Sequence, residues 1–290
     1  IGESSSISGN TFGTITSNGT GVDSDAVGVH VNNNMGENSS ISGNQFTGAI
    51  TSGTGDNSGA FGVYVSDGMS ENSSISGNQF TGAITSGTGD NSDAFGVYVF
   101  DGMGSNSSIR GNTFGAITSG TGANSVAVGV FVFFGMGANS SISGNTFGAI
   151  TSNGAGAGSS AIGVNVSNNM GANSSISGNT FGAITSGTGN DSDVIGVYVG
   201  NMGENSSISG NTFNGVINAD DGTTAGIYLS NALAGAVVNN IKNNTLTFSP
   251  ENANAVGISV NINESDANVT TLKGNNTFTG IATDANKVKN

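Results

Sequence analysis

The sequence predicts an all-β fold, a single-stranded right-handed parallel β-helix (β-solenoid) of about nine coils with 31–34 residues each. Two observations lead to this prediction. One unit recurs along the chain, and the segment Ser39–Val65 returns at Ser73–Val99 with a single change, from Gly59 to Asp93. The units are also rich in Gly, Ser, Thr, Asn and β-branched residues, which disfavour helices. Self-similarity at this period is typical of architectures in which each unit stacks on its neighbour.

The repeat is anchored by an apolar residue that lies shortly before a Gly-Asn pair in most units. These anchoring residues are Ile7, Ile41, Ile75, Ile109, Ile142, Ile176, Ile208, Ile241 and Leu272. We expect equivalent residues to lie in columns about 4.8 Å apart, and the crossover rule for parallel strands predicts the right-handed coil. Residues 1–240 contain the regular coils, whereas residues 241–290 contain diverged final coils that belong to the same domain or form a C-terminal cap.

Each unit contains three strand-like pieces separated by turn residues. The first is Ser-Ser-Ile-Ser followed by Gly-Asn and a Phe, the second is Ala-Ile-Thr, and the third resembles Val27–Val31. In the third piece the first, third and fifth residues are apolar, so we expect that face to point inward. The predicted inward residues of the first coil are Ile7, Phe12, Ile15, Val27, Val29, Val31 and Met35. The polar connection between the second and third pieces varies most, which is typical of a surface loop.

One asparagine recurs at the same position of the units, and we interpret this column as a structural ladder. Its members are Asn10, Asn44, Asn78, Asn112, Asn145, Asn179, Asn211 and Asn244, with Asn275 or Asn276 in the last unit. Stacked asparagines satisfy one another's amides and tolerate the backbone of a turn. The six methionines also share one position, which favours flexible side chains that fill a corner of the core.

With its ISGNTF and FxGAI segments, its asparagine column and its lack of cysteine, the chain resembles the β-helical passengers and adhesins that bacteria place on their surface. The resemblance extends over the whole chain as an architecture. It implies an extracellular or cell-surface location and a structural or binding role. The chain begins at Ile1 rather than at a methionine, which we interpret as the mark of a mature or excised chain.

Composition narrows the classes of partner. The net charge of −14 disfavours a nucleic acid, because phosphate contacts need lysine and arginine. No run reaches the roughly 18 apolar residues that a membrane helix needs, so we expect a chain that does not span a membrane. The absence of cysteine excludes disulfides, thiol catalysis and cysteine-bound zinc.

Many right-handed β-helices are polysaccharide lyases or hydrolases, so enzyme activity is one candidate function. The chemistry of these enzymes needs paired carboxylates, or a base with cationic side chains beside it, on one face of the solenoid. The outward residues next to the anchoring residues are Ser8, Ser42, Ser76, Arg110, Ser143, Ser177, Ser209, Lys242 and Lys273. This column contains no carboxylate, and His30 is the single histidine of the chain. The sequence therefore predicts no enzyme and no catalytic residue.

The outward column of the third piece is the candidate contact surface. Its members are His30, Tyr64, Tyr98, Phe131, Asn165, Tyr198, Tyr228 and Ser259, and the candidate ligand- or partner-binding residues are Tyr64, Tyr98, Phe131, Tyr198 and Tyr228. Phe100, Phe133 and Phe134 lie nearby and widen this patch. Outward aromatic rings stack on sugars or dock a neighbouring molecule, so cell-surface or host glycans are candidate partners. The alternative is that the rings only stack on one another or lie beneath the glycine-rich loop.

Two of the polar loops have the oxygen-rich composition of calcium loops. The candidate ligands are Asp90, Asp93, Asp191 and Asp193. Equivalent loops elsewhere lack acids, so an unbroken column of ions is excluded, and solvated acidic loops are the default interpretation. Apart from calcium at such isolated loops, the sequence predicts no cofactor.

We therefore expect a non-enzymatic extracellular β-solenoid that acts as a surface fibre, stalk or adhesin. Four of the five basic residues, Lys242, Lys273, Lys287 and Lys289, follow residue 240, and this polarity favours head-to-tail joining of subunits into filaments. Unpaired strand edges at the ends of a solenoid favour such joining. The alternatives are a carbohydrate-binding β-helix, or an ice-binding one that uses threonine columns such as those of Thr16 and Thr113.

Overall fold

The computed structural model is a parallel β-solenoid, in which each strand pairs in parallel with the equivalent strand of the next unit. It describes residues 1–188, 190–215, 217–218, 222–232, 238–248, 254–261 and 266–289. Within these ranges, four sheets, A to D, run along the solenoid and contain eight, nine, seven and nine strands. The predicted all-β fold of stacked parallel coils is confirmed.

Sheets A and B follow one another at the Gly-Asn turn. Sheet A contains β1 (Ser6–Ser8), β5 (Ser40–Ser42), β9 (Ser74–Ser76), β13 (Ser108–Arg110), β17 (Ser141–Ser143), β21 (Ser175–Ser177), β25 (Ser207–Ser209) and β29 (Ile241–Lys242). Sheet B contains β2 (Thr11–Phe12), β6 (Gln45–Phe46), β10 (Gln79–Phe80), β14 (Thr113–Phe114), β18 (Thr146–Phe147), β22 (Thr180–Phe181), β26 (Thr212–Phe213), β30 (Thr245–Thr247) and β32 (Thr277–Thr279). A left-handed residue separates the two sheets, for example Gly43 with φ of 62°. The first predicted piece of each unit, Ser-Ser-Ile-Ser followed by Gly-Asn and a Phe, therefore forms two strands and not one.

Sheets C and D correspond to the second and third predicted pieces. Sheet C contains β3 (Ile15–Thr16), β7 (Ile50–Thr51), β11 (Ile84–Thr85), β15 (Ile117–Thr118), β19 (Ile150–Thr151), β23 (Ile184–Thr185) and β27 (Ile217–Asn218). Sheet D contains β4 (Ala26–Val31), β8 (Ala60–Val65), β12 (Ala94–Val99), β16 (Ala127–Val132), β20 (Ala161–Met170), β24 (Val194–Met202), β28 (Thr224–Ala232), β31 (Val256–Asn261) and β33 (Val288–Lys289).

The core consists of columns of like side chains. The phenylalanines of sheet B form one such column, in which Phe46 and Phe80 stack with ring centroids 4.3 Å apart. Met35 and Met69 belong to a second column, are at most 3% exposed, and join neighbouring coils through parallel bridges. The predicted filling of a core corner by methionines is confirmed.

Sheet D departs from the predicted alternation at its glycine. Ala60, Val63 and Val65 lie in the main core, but Phe61 belongs to a separate cluster on the outer face. A Cβ on Gly62 would lie 2.5 Å from the Gly96 carbonyl oxygen and 3.0 Å from the Phe80 ring, so this glycine faces the interior. Two successive residues therefore face inward, and the alternation shifts by one.

This shift overturns one predicted inward position. Val27, the equivalent of Phe61 in the first coil, packs against the outer cluster instead of the main core. The other inward residues predicted for the first coil contribute to the main core.

The asparagine ladder is confirmed and runs without a break from Asn10 to Asn276. The Asn78 Oδ1 atom accepts hydrogen bonds from the Asn44 backbone N–H (3.1 Å) and Nδ2 (2.9 Å). The Asn78 Nδ2 group donates to the Ile41 carbonyl oxygen and to Asn112 Oδ1, both at 2.9 Å. Every polar atom of this buried amide therefore has a partner, while the preceding glycine adopts the left-handed backbone.

The polar connection between sheets C and D is more ordered than a surface loop. Ser52 and Ser58 are at most 4% exposed, and Ser52 Oγ donates to the Ser58 carbonyl oxygen at 2.8 Å. The Ser92 backbone N–H donates to Ser125 Oγ of the next coil at 3.1 Å. The predicted surface loop is thus a stacked layer with a buried side.

The C-terminal segment includes two helices, α1 (Asp266–Asn275) and α2 (Asp284–Lys287). Leu272 lies in α1 and not in a strand, but its side chain is fully buried in the core. The Leu272 carbonyl oxygen accepts a hydrogen bond of 2.9 Å from Asn276 Nδ2, at the end of the asparagine ladder. Helix α1 therefore takes the place that a ninth strand of sheet A would have.

Strands β30 to β33 continue sheets B and D, so the diverged segment shares the sheets of the regular coils. No helix within the described ranges is long and apolar enough to cross a bilayer.

Candidate functional site

The outer side of sheet D carries a second apolar cluster. Phe61, Phe95 and Val128 are at most 8% exposed, although they point away from the main core. Partly buried residues pack around them, namely Val27, Tyr64, Tyr98, Val126, Phe131 and Ile162. We call the rings on this side the aromatic face, which consists of Phe61, Tyr64, Phe95, Tyr98, Phe100, Phe131, Phe133 and Phe134.

The aromatic face is built from stacked columns. Ring centroids are 5.3 Å apart between Tyr64 and Tyr98, and 5.1 Å apart between Tyr98 and Phe131, with interplanar angles of 9° and 8°. His30 continues this column, 4.9 Å from Tyr64. A parallel column joins Phe61 to Phe95 at 5.3 Å. Within these columns neighbouring rings cover one another's faces, so solvent meets mainly ring edges.

Three phenylalanines extend the face beyond strands β12 and β16. Phe100 is 38% exposed, Phe133 is 36% exposed and Phe134 is 53% exposed. Phe100 stacks on Phe133 at 5.4 Å, while Phe134 lies edge-on to Phe133 at 4.8 Å. Their edge contacts with Tyr98 and Phe131 join them to the column. The result is one continuous surface whose outer part is open to solvent.

Carboxylates surround this surface. Burial raises the pKa of Tyr64, and the negative charges of Asp25 and Asp67 raise it further. Burial also raises the pKa of Tyr98, with smaller contributions from Tyr64 and Asp93. The aromatic face therefore lies in a negative electrostatic environment.

Asp93 directly precedes strand β12 and lies close to Tyr98. Its Oδ1 atom accepts a hydrogen bond of 2.9 Å from the Val126 backbone N–H. Burial nevertheless raises its pKa to about 7, because the amide hydrogen bond offsets only part of the lost hydration. Asp93 thus changes charge near neutral pH at the edge of the aromatic face.

The structure brings together three of the five predicted contact residues, Tyr64, Tyr98 and Phe131. Tyr198 and Tyr228 form a separate pair, 5.5 Å apart. Asn165 interrupts the column between the two groups, in register with Phe131 and Tyr198.

The sequence reasoning missed Phe61, Phe95 and Val128 as parts of this surface. The available signal was the glycine that follows each of them, since an inward glycine shifts the alternation by one residue. The stacking of the rings on one another, given as an alternative in the sequence analysis, is what the structure contains.

Three of the four acidic loop residues predicted as calcium ligands accept hydrogen bonds from backbone amides of the following coil, namely Asp90, Asp93 and Asp193. Asp90 Oδ1 accepts from the Ala123 N–H at 2.8 Å, and Asp193 Oδ1 accepts from the Thr223 N–H at 2.9 Å. Asp191 adopts a left-handed backbone with φ of 56°, and Gly189, two residues before it, lies outside the described residues. Within the described ranges no group of three or more His, Asp or Glu residues gathers as a metal site.

The outward column of sheet A contains serine hydroxyls with one arginine. Arg110 pairs in register with Ser76 and Ser143, and Lys242 pairs with Ser209. Lys273 leaves this column, because it lies in helix α1 and forms an ion pair with Asp284 at 2.8 Å.

The chain matches no family model, no curated protein and no solved structure.

Proposed function

We propose that this chain is a non-enzymatic structural β-solenoid of the extracellular space or cell surface, where it acts as a fibre, stalk or adhesin. The observation that supports this proposal is the unbroken asparagine ladder from Asn10 to Asn276. It repeats one cross-section along the whole chain, and each coil satisfies the buried amide of its neighbour. Such an arrangement favours a stiff support whose outward side chains are displayed in rows.

The outward side chains favour a role in presenting a surface over a role in catalysis. On sheet A they are mostly serines in register, and on sheet D they form the aromatic face. A display surface needs neither a closed pocket nor converging acids and bases. The resemblance to bacterial surface β-helices supports extracellular use.

End-to-end joining is a second part of the proposal, and the two ends favour it unequally. At the first coil all four sheets end in a strand, β1 to β4. At the other end β32 and β33 terminate sheets B and D, but α1 lies over sheet A and its Leu272 carbonyl accepts from the last ladder residue, Asn276. Head-to-tail joining would therefore use sheets B and D, and the asparagine ladder would stop at the junction.

The two alternative binding functions gain less support. Sugars stack on exposed ring faces, whereas the columns of the aromatic face cover most of theirs. The threonine column of sheet B is interrupted by Gln45 and Gln79, which lie in register with Thr11 and Thr113.

Electron microscopy and sedimentation of the purified chain test the structural role. Nine stacked coils predict rods of roughly 43 Å per chain, and joining predicts longer filaments that increase with protein concentration. Compact particles without a rod axis contradict the structural role, and rods that stay single at all concentrations contradict the joining. Surface proteolysis of intact producing cells tests the location, since a chain protected until the cells are lysed contradicts surface display.

A further inference from the structure

The repeat departs from its own pattern at the exposed end of the aromatic face. At the position of Phe100 and Phe133 the neighbouring units have Ser66 and Ser167, and Phe134 aligns with Asp101. The fold therefore accepts polar residues at these positions, and the three phenylalanines are not needed to build the coil. Contiguous exposed apolar surface on a soluble protein marks an interaction site.

The charges next to this surface have one sign. Asp67 and Asp101 are exposed and directly precede the turn glycines Gly68 and Gly102. A Cβ on Gly68 would lie 3.2 Å from the Asp101 Cβ, and a Cβ on Gly102 would lie 3.4 Å from the Phe134 backbone, so Asp101 and Phe134 are neighbours in adjacent coils. Arg110 is the single Lys or Arg before residue 240, and it lies in sheet A.

Asp67 and Asp101 form an acidic rim beside the exposed phenylalanines, and this rim favours some binding partners over others. A second copy docked through the same face would bring like charges together, which costs affinity. A glycan would find few open ring faces, because the columns cover them. A partner with apolar side chains and a positive rim matches both the phenylalanines and the carboxylates, since charge complementarity adds steering and specificity to an apolar contact.

We propose that the exposed end of the aromatic face, with Phe133 and Phe134 as its anchors and Asp67 and Asp101 at its rim, binds a polypeptide segment that presents apolar side chains beside lysine or arginine. This binding proposal rests on the proposed display function in one respect, namely that the solenoid presents the surface. It holds equally for single rods and for filaments.

The test is fluorescence anisotropy with a labelled peptide of alternating leucine and lysine, and with a matched peptide that has glutamate in place of lysine. We expect the lysine peptide to bind and the glutamate peptide not to bind. The double variant Phe133→Ser/Phe134→Ser should weaken binding at least about tenfold, as removal of central aromatic anchors does elsewhere. Val22→Ser is the matched control, because Val22 is 65% exposed and lies outside the face.

Charge is tested separately, since any cation is attracted to a chain with net charge −14. Asp67→Asn/Asp101→Asn should weaken binding several-fold at low salt, and the effect should shrink at high salt. Glu37→Gln/Glu71→Gln removes the same net charge at exposed positions outside this pair of rim residues, and it should have a smaller effect. The circular dichroism spectrum of each variant is compared with that of the wild type to check that the fold is retained.

Several outcomes overturn the proposal. One is that the wild type and the phenylalanine variant bind the lysine peptide equally well. Another is that the lysine and glutamate peptides bind equally well. A third is that the aspartate and glutamate variants lose the same amount of affinity. Self-association or glycan binding that the phenylalanine variant abolishes would assign the face to another occupant. Filaments seen by microscopy are independent of these results, so failure here leaves the structural role intact.

Discussion

The asparagine ladder and the aromatic face both place like side chains one above another, yet they differ in continuity and in exposure. The ladder is unbroken, buried and closed by hydrogen bonds, as at Asn112 and Asn145. The aromatic face is half-buried and mixes Tyr with Phe, and the outward column to which it belongs begins at His30 and is interrupted at Asn165. A column that specifies the fold tolerates no substitution of its hydrogen-bonding pattern, whereas a column that faces a partner can vary from coil to coil.

The largest predicted effect comes from breaking the ladder at its middle. Asn145→Ala removes the two hydrogen bonds that Asn145 Oδ1 accepts from Asn112. It also removes the two that Asn145 Nδ2 donates to the Ile109 carbonyl oxygen and to Asn179 Oδ1. Because buried partners lose their hydrogen bonds, the free energy of unfolding should fall by about 3–5 kcal/mol. Urea unfolding measures this loss, and Asn10→Ala at the exposed end of the ladder is the control with a small effect. Equal losses in the two variants would contradict the structural role of the ladder.

A second prediction concerns the inward glycine that separates the two sides of sheet D. In Gly129→Ala the new Cβ would meet the Gly163 carbonyl oxygen and lie 2.9 Å from the Phe147 ring. Such overpacking should lower the free energy of unfolding by about 1–3 kcal/mol. A Cβ on Gly13 would meet no atom within 4 Å, so Gly13→Ala should be nearly neutral. A stable Gly129→Ala variant would mean that the alternation does not shift at this residue.

The pH dependence of stability tests the charge at the edge of the aromatic face. The pKa of Asp93 is raised to about 7 by burial, whereas in the unfolded chain it is about 3.9. Between these values the unfolded chain loses its proton first, so the contribution of Asp93 to stability decreases as pH rises, and the loss is complete above the folded pKa. A shift of about three pKa units corresponds to at most about 4 kcal/mol, and the partial exposure of Asp93 reduces this value. Asp93→Asn should therefore raise the free energy of unfolding above neutral pH by roughly 1–2 kcal/mol.

Below about pH 4 the same substitution should have little effect, because the carboxyl is protonated in both states. Urea unfolding at acidic and at slightly alkaline pH makes the comparison. A variant that is destabilised at alkaline pH would show that charged Asp93 stabilises the fold, and it would contradict the raised pKa.

The smallest expected effect is at the exposed end of the aromatic face. Phe134→Ser should change the free energy of unfolding by less than about 0.5 kcal/mol, since the side chain is 53% exposed and outside both apolar clusters. Thermal or urea unfolding checks this value. A large loss would make Phe134 part of the fold rather than of a contact surface.

Much of the fold was predictable because the repeat is nearly exact. The asparagine column, the methionine column and the parallel stacking all follow from residues that recur at one position, and the structure confirms them. The division into four sheets was not predictable from hydrophobic pattern alone, since strands such as Gln45–Phe46 have two residues and offer no alternation to detect.

The candidate site was predictable only in part. Tyr64, Tyr98 and Phe131 were placed outward by alternation, but Phe61 and Phe95 were placed on the wrong side. Alternation assumes a regular strand, and it fails at Gly62 and Gly96, where a residue without a side chain makes room for the sheet B phenylalanines. Helix α1 was also missed, because Leu272 matches the spacing of the anchoring residues while its surroundings do not form a strand.

Distances between spin labels measure the stacking of successive coils most directly. The chain has no cysteine, so labels can be attached to cysteines introduced at the outward sheet A positions Ser42, Ser143 and Ser209. Equivalent residues pair coil by coil, so Ser42 and Ser143 should lie about 14 Å apart, and Ser42 and Ser209 about 24 Å apart, at about 4.8 Å per coil. Distances that grow in proportion to the number of coils confirm the account. Distances that do not follow the coil count, or that correspond to separately folded units, contradict it.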